Sequence, residues 1–176
     1  MDIIVAGFYK NNKDFNTMNM FQFLEQTTKQ HPNVLYLVRE NVKYKDFMIL
    51  VKKRAATLHK AGVGAGDVVG VLSHNIPQFP ITLFAIWYLG GTVLLLDTNL
   101  TPFEYDNMTA ITKAKFVCAE KSFFYKTRKF KFFDITTQDG DVDSKLKPAK
   151  LKENVHILSN YNVSKEQPWA FQLTQT

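Results

Sequence analysis

Hydrophobic positions change period several times between Tyr44 and Ala114. Tyr44, Phe47, Met48, Val51, Ala55 and Leu58 recur at helical spacing, with Lys45, Lys52, Lys53 and Lys60 on other faces, so one side of a helix is set against a core. Gly62, Gly64 and Gly66 close that helix, and Val68 to Leu72 follows as a short apolar strand. Ser73-His74-Asn75 then offers capping side chains, with Asn75 or Ser73 expected to cap the next helix. Pro77 and Pro80 suit a first helical turn, where an amide donor is not needed. Phe79 to Leu89 is apolar nearly all round, and Gly90-Gly91 ends it. Val93 to Leu96 is apolar without alternation, the pattern of a parallel strand covered on both faces. Thr101-Pro102 with Glu104 opens a further helix, whose expected apolar face is Met108, Ile111 and Ala114. Strand, crossing helix and strand make a βαβ unit.

The flanks are simpler. Residues 1–17 lack stable periodicity and read as an arm. Phe21, Leu24 and Thr28 share one face of a short helix that stops before Pro32. Val34 to Val38, a turn at Arg39-Glu40-Asn41, and Val42 to Tyr44 form a hairpin candidate. Phe116 to Ala119 and Phe130 to Ile135 are the next strands, joined by a short helix or loop through Phe123-Phe124-Tyr125. Residues 137–154 are polar, carry Lys145, Lys147, Lys150 and Lys152, and read as a solvent-exposed loop. His156 to Leu158 and Trp169 to Thr174 are further strand candidates. The stretch Phe79 to Leu96 approaches the length of a membrane span, but Gly90-Gly91 break it and Thr92 to Leu96 favours a strand. A buried helix plus a buried strand fits better, and no transmembrane span is expected.

Composition narrows the class. The 176 residues are 45% hydrophobic and 22% charged, which suits one globular domain or a piece of a larger one rather than a disordered chain. Cys118 has no second cysteine to pair with, so a buried thiol in a reducing, cytoplasmic setting is expected. Met1-Asp2 leads into a brief apolar run with no cationic region, so no signal peptide is expected. His31, His59, His74 and His156 show no metal-ligand spacing, and neither Gly-x-Gly-x-x-Gly nor Gly-x-Ser-x-Gly occurs. Solvated or capping histidines are the simpler reading. The same holds for Asp97, Thr98 and Asn99. Ser73-His74-Asn75, at the carboxyl end of a strand, still marks a place where open α/β sheets bind ligands.

Gly66-Asp67-Val68-Val69-Gly70-Val71-Leu72, Asn75-x-Pro77-x-Phe79, the apolar helix, Gly90-Gly91-Thr92-Val93-Leu94-Leu95-Leu96 and Leu100-Thr101-Pro102-x-Glu104 occur in that order. Together they resemble the N-terminal part of the adenylate-forming (AMP-binding) enzymes, which include acyl-CoA synthetases, luciferases and peptide-synthetase adenylation domains. The likeness extends upstream through Phe21 to Glu25, His31-Pro32-Asn33, Val42 to Phe47 and Leu58 to Val63, and downstream through Ala114 to Val117. Leu96-Asp97-Thr98-Asn99-Leu100 is nearest the fatty-acyl branch. The resemblance implies an α/β fold, a mainly parallel sheet with helices on both faces, over residues 18–176.

In that family a strand runs into a Gly/Ser/Thr-rich loop whose amides and lysine hold the ATP phosphates. Ala170 to Thr176 is similar to that strand, so the chain is expected to stop just before the loop, with Thr174 or Thr176 at its edge. The expected parent is an ATP-dependent carboxylate-activating ligase that uses ATP, Mg2+ and CoA, with a carboxylic acid, and in the fatty-acyl branch a fatty acid, as partner. The fragment alone is expected to be inactive and to bind none of these tightly, with no catalytic residue and no metal ligand of its own.

Two other readings stand beside it. One is a non-catalytic α/β module that docks a partner. The other is a basic peripheral protein: with net charge +6, the run Lys121 to Phe133 interleaves Lys126, Arg128, Lys129 and Lys131 with phenylalanines. Phenylalanines inward and lysines outward explain the run more simply, and no nucleic-acid recognition module accompanies it. Peripheral membrane contact and a homodimer remain as partner expectations.

Overall fold

A computed structural model describes residues 20–126 and 130–149. The expected arm at 1–17, the strand candidates at 156–158 and 169–174, and Thr174 and Thr176 lie outside the described residues. Helix α1 (Met20–Gln30) buries Phe21 and Leu24 and ends before Pro32. The hairpin forms as read: β1 (Leu35–Leu37) pairs antiparallel with β2 (Val42–Lys43), and Asn41 takes a left-handed φ of 55° in the turn. Helix α2 (Tyr44–Lys60) buries Phe47, Met48, Val51, Ala55 and Leu58.

The centre is a four-stranded parallel sheet of β3 (Val68–Leu72), β4 (Thr92–Leu96), β5 (Phe116–Ala119) and β6 (Lys131–Asp134), in the order β4-β3-β5-β6. Helix α3 (Gln78–Tyr88) links β3 to β4, helix α4 (Pro102–Thr112) links β4 to β5, and a 3-10 turn over Lys121–Lys126 leads towards β6. Side chains alternate across the sheet with the period of two that a pleated strand imposes. Val69, Val71, Phe116 and Cys118 pack with α1, α2 and α3, whereas Leu72, Leu94, Leu96, Val117 and Ala119 pack with Tyr105 of α4. Helices therefore cover both faces. A Cβ at Gly70, in the middle of β3, would sit 2.9 Å from Leu96 Cδ1, so that leucine would have to turn aside for any larger residue there.

Helix α4 starts on a capping box. The Glu104 amide donates to Thr101 Oγ1 at 3.3 Å, and the Thr101 amide donates to Glu104 Oε2 at 2.8 Å. Three expectations need correction. Among the described residues the β4 strand is an edge, and Leu95 is 52% exposed, so cover on both faces holds for β5 but not here. On α4 the buried positions are Tyr105 and Thr109, with Met108 beside them and Ala114 just past the helix end. Ile111 lies about 120° round the helix from Tyr105 and is 62% exposed. Finally, α3 has no side-chain cap: Pro77 occupies that place in helical conformation, and Ser73 and His74 turn elsewhere.

The segment after β6 is irregular, as read, but it is anchored rather than simply exposed. Arg54 of α2 is 2% exposed and donates from Nε to Asp139 Oδ2 at 2.8 Å and from Nη2 to the Ile135 carbonyl at 2.9 Å. Its guanidinium lies 5.3 Å from the Phe133 ring centroid, a cation–π contact. Further along, Tyr88 donates its hydroxyl to the Leu146 carbonyl at 2.6 Å, and the Ala149 amide donates to the Tyr88 carbonyl at 2.9 Å. Gly90, at φ +77°, leaves room for that docking, since a Cβ on it would lie 2.7 Å from Ala149 Cβ.

Candidate functional site

All four sheet strands are parallel, so their carboxyl ends share one edge. From β3 the chain leaves through α3 to β4 on one side; from β5 it proceeds to β6 on the other. Adjacent β3 and β5 thus send their loops apart, which opens a crevice at a topological switch point, the place where open α/β sheets receive ligands. Ser73 and His74 leave β3 at this crevice, and Glu120 leaves β5.

These three residues meet. Glu120 Oε1 accepts from the His74 amide at 2.6 Å and lies 3.0 Å from His74 Nδ1. Ser73 Oγ is 3.1 Å from the same oxygen and 2.8 Å from the His74 carbonyl, so its single proton serves one acceptor at a time. Burial pushes the Glu120 carboxyl up, but the donors from His74 and Ser73 outweigh it and hold the group below its usual range. An ionised carboxylate only accepts, so His74 Nδ1 carries the proton facing it. The imidazole also rests against Phe123, with centroids 5.1 Å apart. The carboxylate is sheltered, at 18% side-chain exposure, whereas the His74 side chain is 62% exposed. An imidazole held this way keeps its second ring nitrogen for a further hydrogen-bond partner.

Neighbouring loops on this edge are committed locally. Asp97 Oδ1 accepts from the Asn99 amide at 2.7 Å, an Asx-type turn, so Asp97 shapes the entry to α4 while Thr101 caps it. Asp134 Oδ1 does the same for Thr136 at 2.9 Å after β6. Cys118 is fully buried beneath the edge, where desolvation pushes its thiol up to about 12, too high for a nucleophile at neutral pH. Among the described aromatics of the basic run, Phe124 packs against Phe132 at 5.1 Å, and Phe130 packs against Tyr105 of α4 at 5.8 Å. Lys131 is exposed and Phe123 buried, but Phe124 is 51% exposed, so the inward-phenylalanine reading holds only in part.

Of the residues singled out from sequence, Ser73 and His74 are brought together with Glu120, and neither Ser73 nor Asn75 caps the helix as expected. Glu120 itself was missed: its partner lies 46 residues away, and the only local signal is an acid directly after a parallel strand. Arg54 was missed as well, although it occupies the same helical face as Val51 and Leu58. No group of three potential metal ligands occurs among the described residues. Thr174 and Thr176, the expected phosphate-loop edge, fall outside them.

A family model described as AMP-binding enzyme matches residues 24–174. The chain belongs to the AMP-binding enzyme family. Among curated relatives of this family member is the 4-coumarate–CoA ligase CCL1 of Humulus lupulus, 31% identical over 91 residues, or 52% of this chain and 17% of that ligase. Among solved structures, the o-succinylbenzoate CoA synthetase of Bacillus subtilis, in complex with its acyl-adenylate intermediate, has a TM-score of 0.61 at 20% identity, covering 69% of this chain and 34% of that one. A four-domain nonribosomal peptide synthetase bound to AMP and glycine has a TM-score of 0.66 at 20% identity, covering 75% of this chain and 10% of that one. The fold is that of the N-terminal subdomain of adenylate-forming enzymes. The chain spans less than a fifth of the length of the curated relative quoted, at 17%.

Proposed function

We propose that this chain is the opening lobe of an ATP-dependent carboxylate-activating ligase that forms an acyl-adenylate and passes the acyl group to CoA. The observation that supports it most directly is the β3/β5 topological switch point, where open α/β sheets receive ligands, inside a chain of the AMP-binding family. In this reaction the acid's carboxylate oxygen attacks the α-phosphorus of ATP, the bond to pyrophosphate breaks, and a thiol sulfur later displaces AMP from the acyl carbon. No cluster of three acidic, histidine or cysteine side chains that could hold Mg2+ occurs among the described residues. We therefore assign no Mg2+ site to this lobe's described part. What the lobe supplies is His74, oriented by Glu120 and exposed at the crevice, to contact the anionic reactants.

Within the family we propose a fatty acid as the substrate, on the strength of Leu96-Asp97-Thr98-Asn99-Leu100, and a cytoplasmic protein with peripheral membrane contact. The test is pyrophosphate release by the complete gene product over a panel of fatty acids and ring acids. Release that requires a fatty acid, with a CoA thioester formed when CoA is added, is the expected result. Release with ring acids alone overturns the substrate, and no acid-dependent release overturns the activity.

A further inference from the structure

On α2, opposite the buried stripe of Phe47, Val51 and Leu58, Ile49 is 48% exposed. Its neighbours on the helix surface, at i−4, i+3 and i+4, are Lys45, Lys52 and Lys53, so an aliphatic side chain stands among three ammonium groups. The β1–β2 hairpin lies beside this surface: the Lys45 amide donates to the Pro32 carbonyl at 3.2 Å, and the Tyr44 amide donates to the Val34 carbonyl at 2.9 Å. That hairpin exposes Val34 at 53% and, at its turn, Val38 at 73%. From Arg39 to Lys53 the cations outnumber the acids, Glu40 and Asp46, by five to two. Among the described residues none of those five cations has a carboxylate partner.

The chemistry of this face discriminates between occupants. Protein interfaces are depleted in lysine and centre on aromatic or arginine anchors, whereas here the exposed apolar groups are aliphatic and most of the cations are lysines. Single-stranded nucleic acid calls for exposed aromatic plates, but Tyr36 of the hairpin packs inward, its ring centroid 4.0 Å from that of Phe47 and 5.1 Å from that of Tyr44. Aliphatic side chains set among unpaired lysines match an anionic leaflet, which offers an acyl boundary beneath negative headgroups. From this geometry we infer that the β1–β2 hairpin and the outer face of α2 from Lys45 to Lys53 dock on an anionic lipid surface. Val34, Val38 and Ile49 enter the headgroup layer, and the lysines meet the lipid phosphates. The docking face is thus separate from the Lys121–Phe133 run; it rests on the proposed peripheral membrane contact and is independent of the ligase chemistry.

The experiment is co-sedimentation of the full 176-residue chain with vesicles of phosphatidylcholine alone, or of phosphatidylcholine with about 30% phosphatidylserine. Binding is expected with the anionic vesicles only, and should weaken at least about tenfold between roughly 0.05 M and 0.5 M salt. Lys45→Glu/Lys53→Glu should weaken it about tenfold or more, and Val38→Asp about fivefold. Both are surface changes, and an unchanged urea midpoint shows that the fold is kept; either serves if the other misfolds. Lys121→Glu, in the other basic run, should change binding by less than about twofold. Equal binding to neutral vesicles, loss in Lys121→Glu but in neither of the other variants, or a dimer that Val38→Asp dissolves would each overturn this docking face. No binding to either vesicle would overturn the peripheral contact along with it.

Discussion

Removing the carboxylate that faces Arg54 tests what holds the segment after β6 in place. In Asp139→Ala the guanidinium keeps its bond to the Ile135 carbonyl but loses the 2.8 Å partner on Nε, while remaining at 2% exposure between α2 and Phe133. Breaking a buried ion pair by deleting one partner costs about 3–5 kcal/mol, because the other charge stays desolvated. The Asp139 side chain is 14% exposed, so some water reaches the pair, and the lower end of that range applies, about 3 kcal/mol. With a urea slope of about 1.5 kcal/mol per molar, the unfolding midpoint should fall by about 2 M at constant slope. Arg54→Met removes the cation and leaves an aspartate near water, so it should cost less, about 1–2 kcal/mol. In Arg54→Met/Asp139→Ala nothing charged is stranded, and the double change should cost at least about 1 kcal/mol less than the sum of the singles. Urea unfolding followed by circular dichroism measures all three. If Asp139→Ala shifts the midpoint by less than about 0.3 M, or the two changes add, the buried latch is not what the geometry implies.

Gly90→Ala should destabilise by about 1–2 kcal/mol from positive φ alone, and by more because the new methyl meets Ala149 Cβ at 2.7 Å; a midpoint unchanged in urea would contradict the docking of Ala149. Tyr105 is fully buried and its hydroxyl has no partner among the described residues, so Tyr105→Phe should be neutral or stabilising by up to about 1 kcal/mol, and a clear loss would reveal a missing acceptor. Glu120 titrates lower in the folded chain than unfolded, so its contribution is present above the ordinary glutamate value of about 4.3 and fades as pH falls through the lower folded value. Glu120→Gln should therefore flatten the acid side of the stability–pH profile, and a profile parallel to wild type would refute the pairing with His74.

Sequence patterning reached the sheet core readily, because β3, α3, β4 and β5 are apolar runs bounded by glycine, proline and capping residues. It failed where long-range geometry decides. Leu95 and Ile111 read as buried from the hydrophobic pattern, but among the described residues one sits on an edge strand and the other on a helix flank that packs through Tyr105 instead. Arg54 was hidden because a charged residue on an apolar face is assumed to point away, and its counter-charge lies 85 residues on. The His74–Glu120 contact was beyond local signals for the same reason: topology brings β3 and β5 together, and no spacing rule connects residues 46 apart. Cys118 was placed correctly as a buried strand thiol.

Carboxylate activation is tested most directly by exchange of labelled pyrophosphate into ATP, measured on the complete gene product and on its His74→Ala variant. Exchange should require an added fatty acid, and the variant should lose about tenfold or more in kcat/KM while its unfolding midpoint is kept. Exchange independent of any acid, or no exchange with any acid offered, would contradict a carboxylate-activating ligase; a variant as active as wild type would remove the β3/β5 crevice from the chemistry.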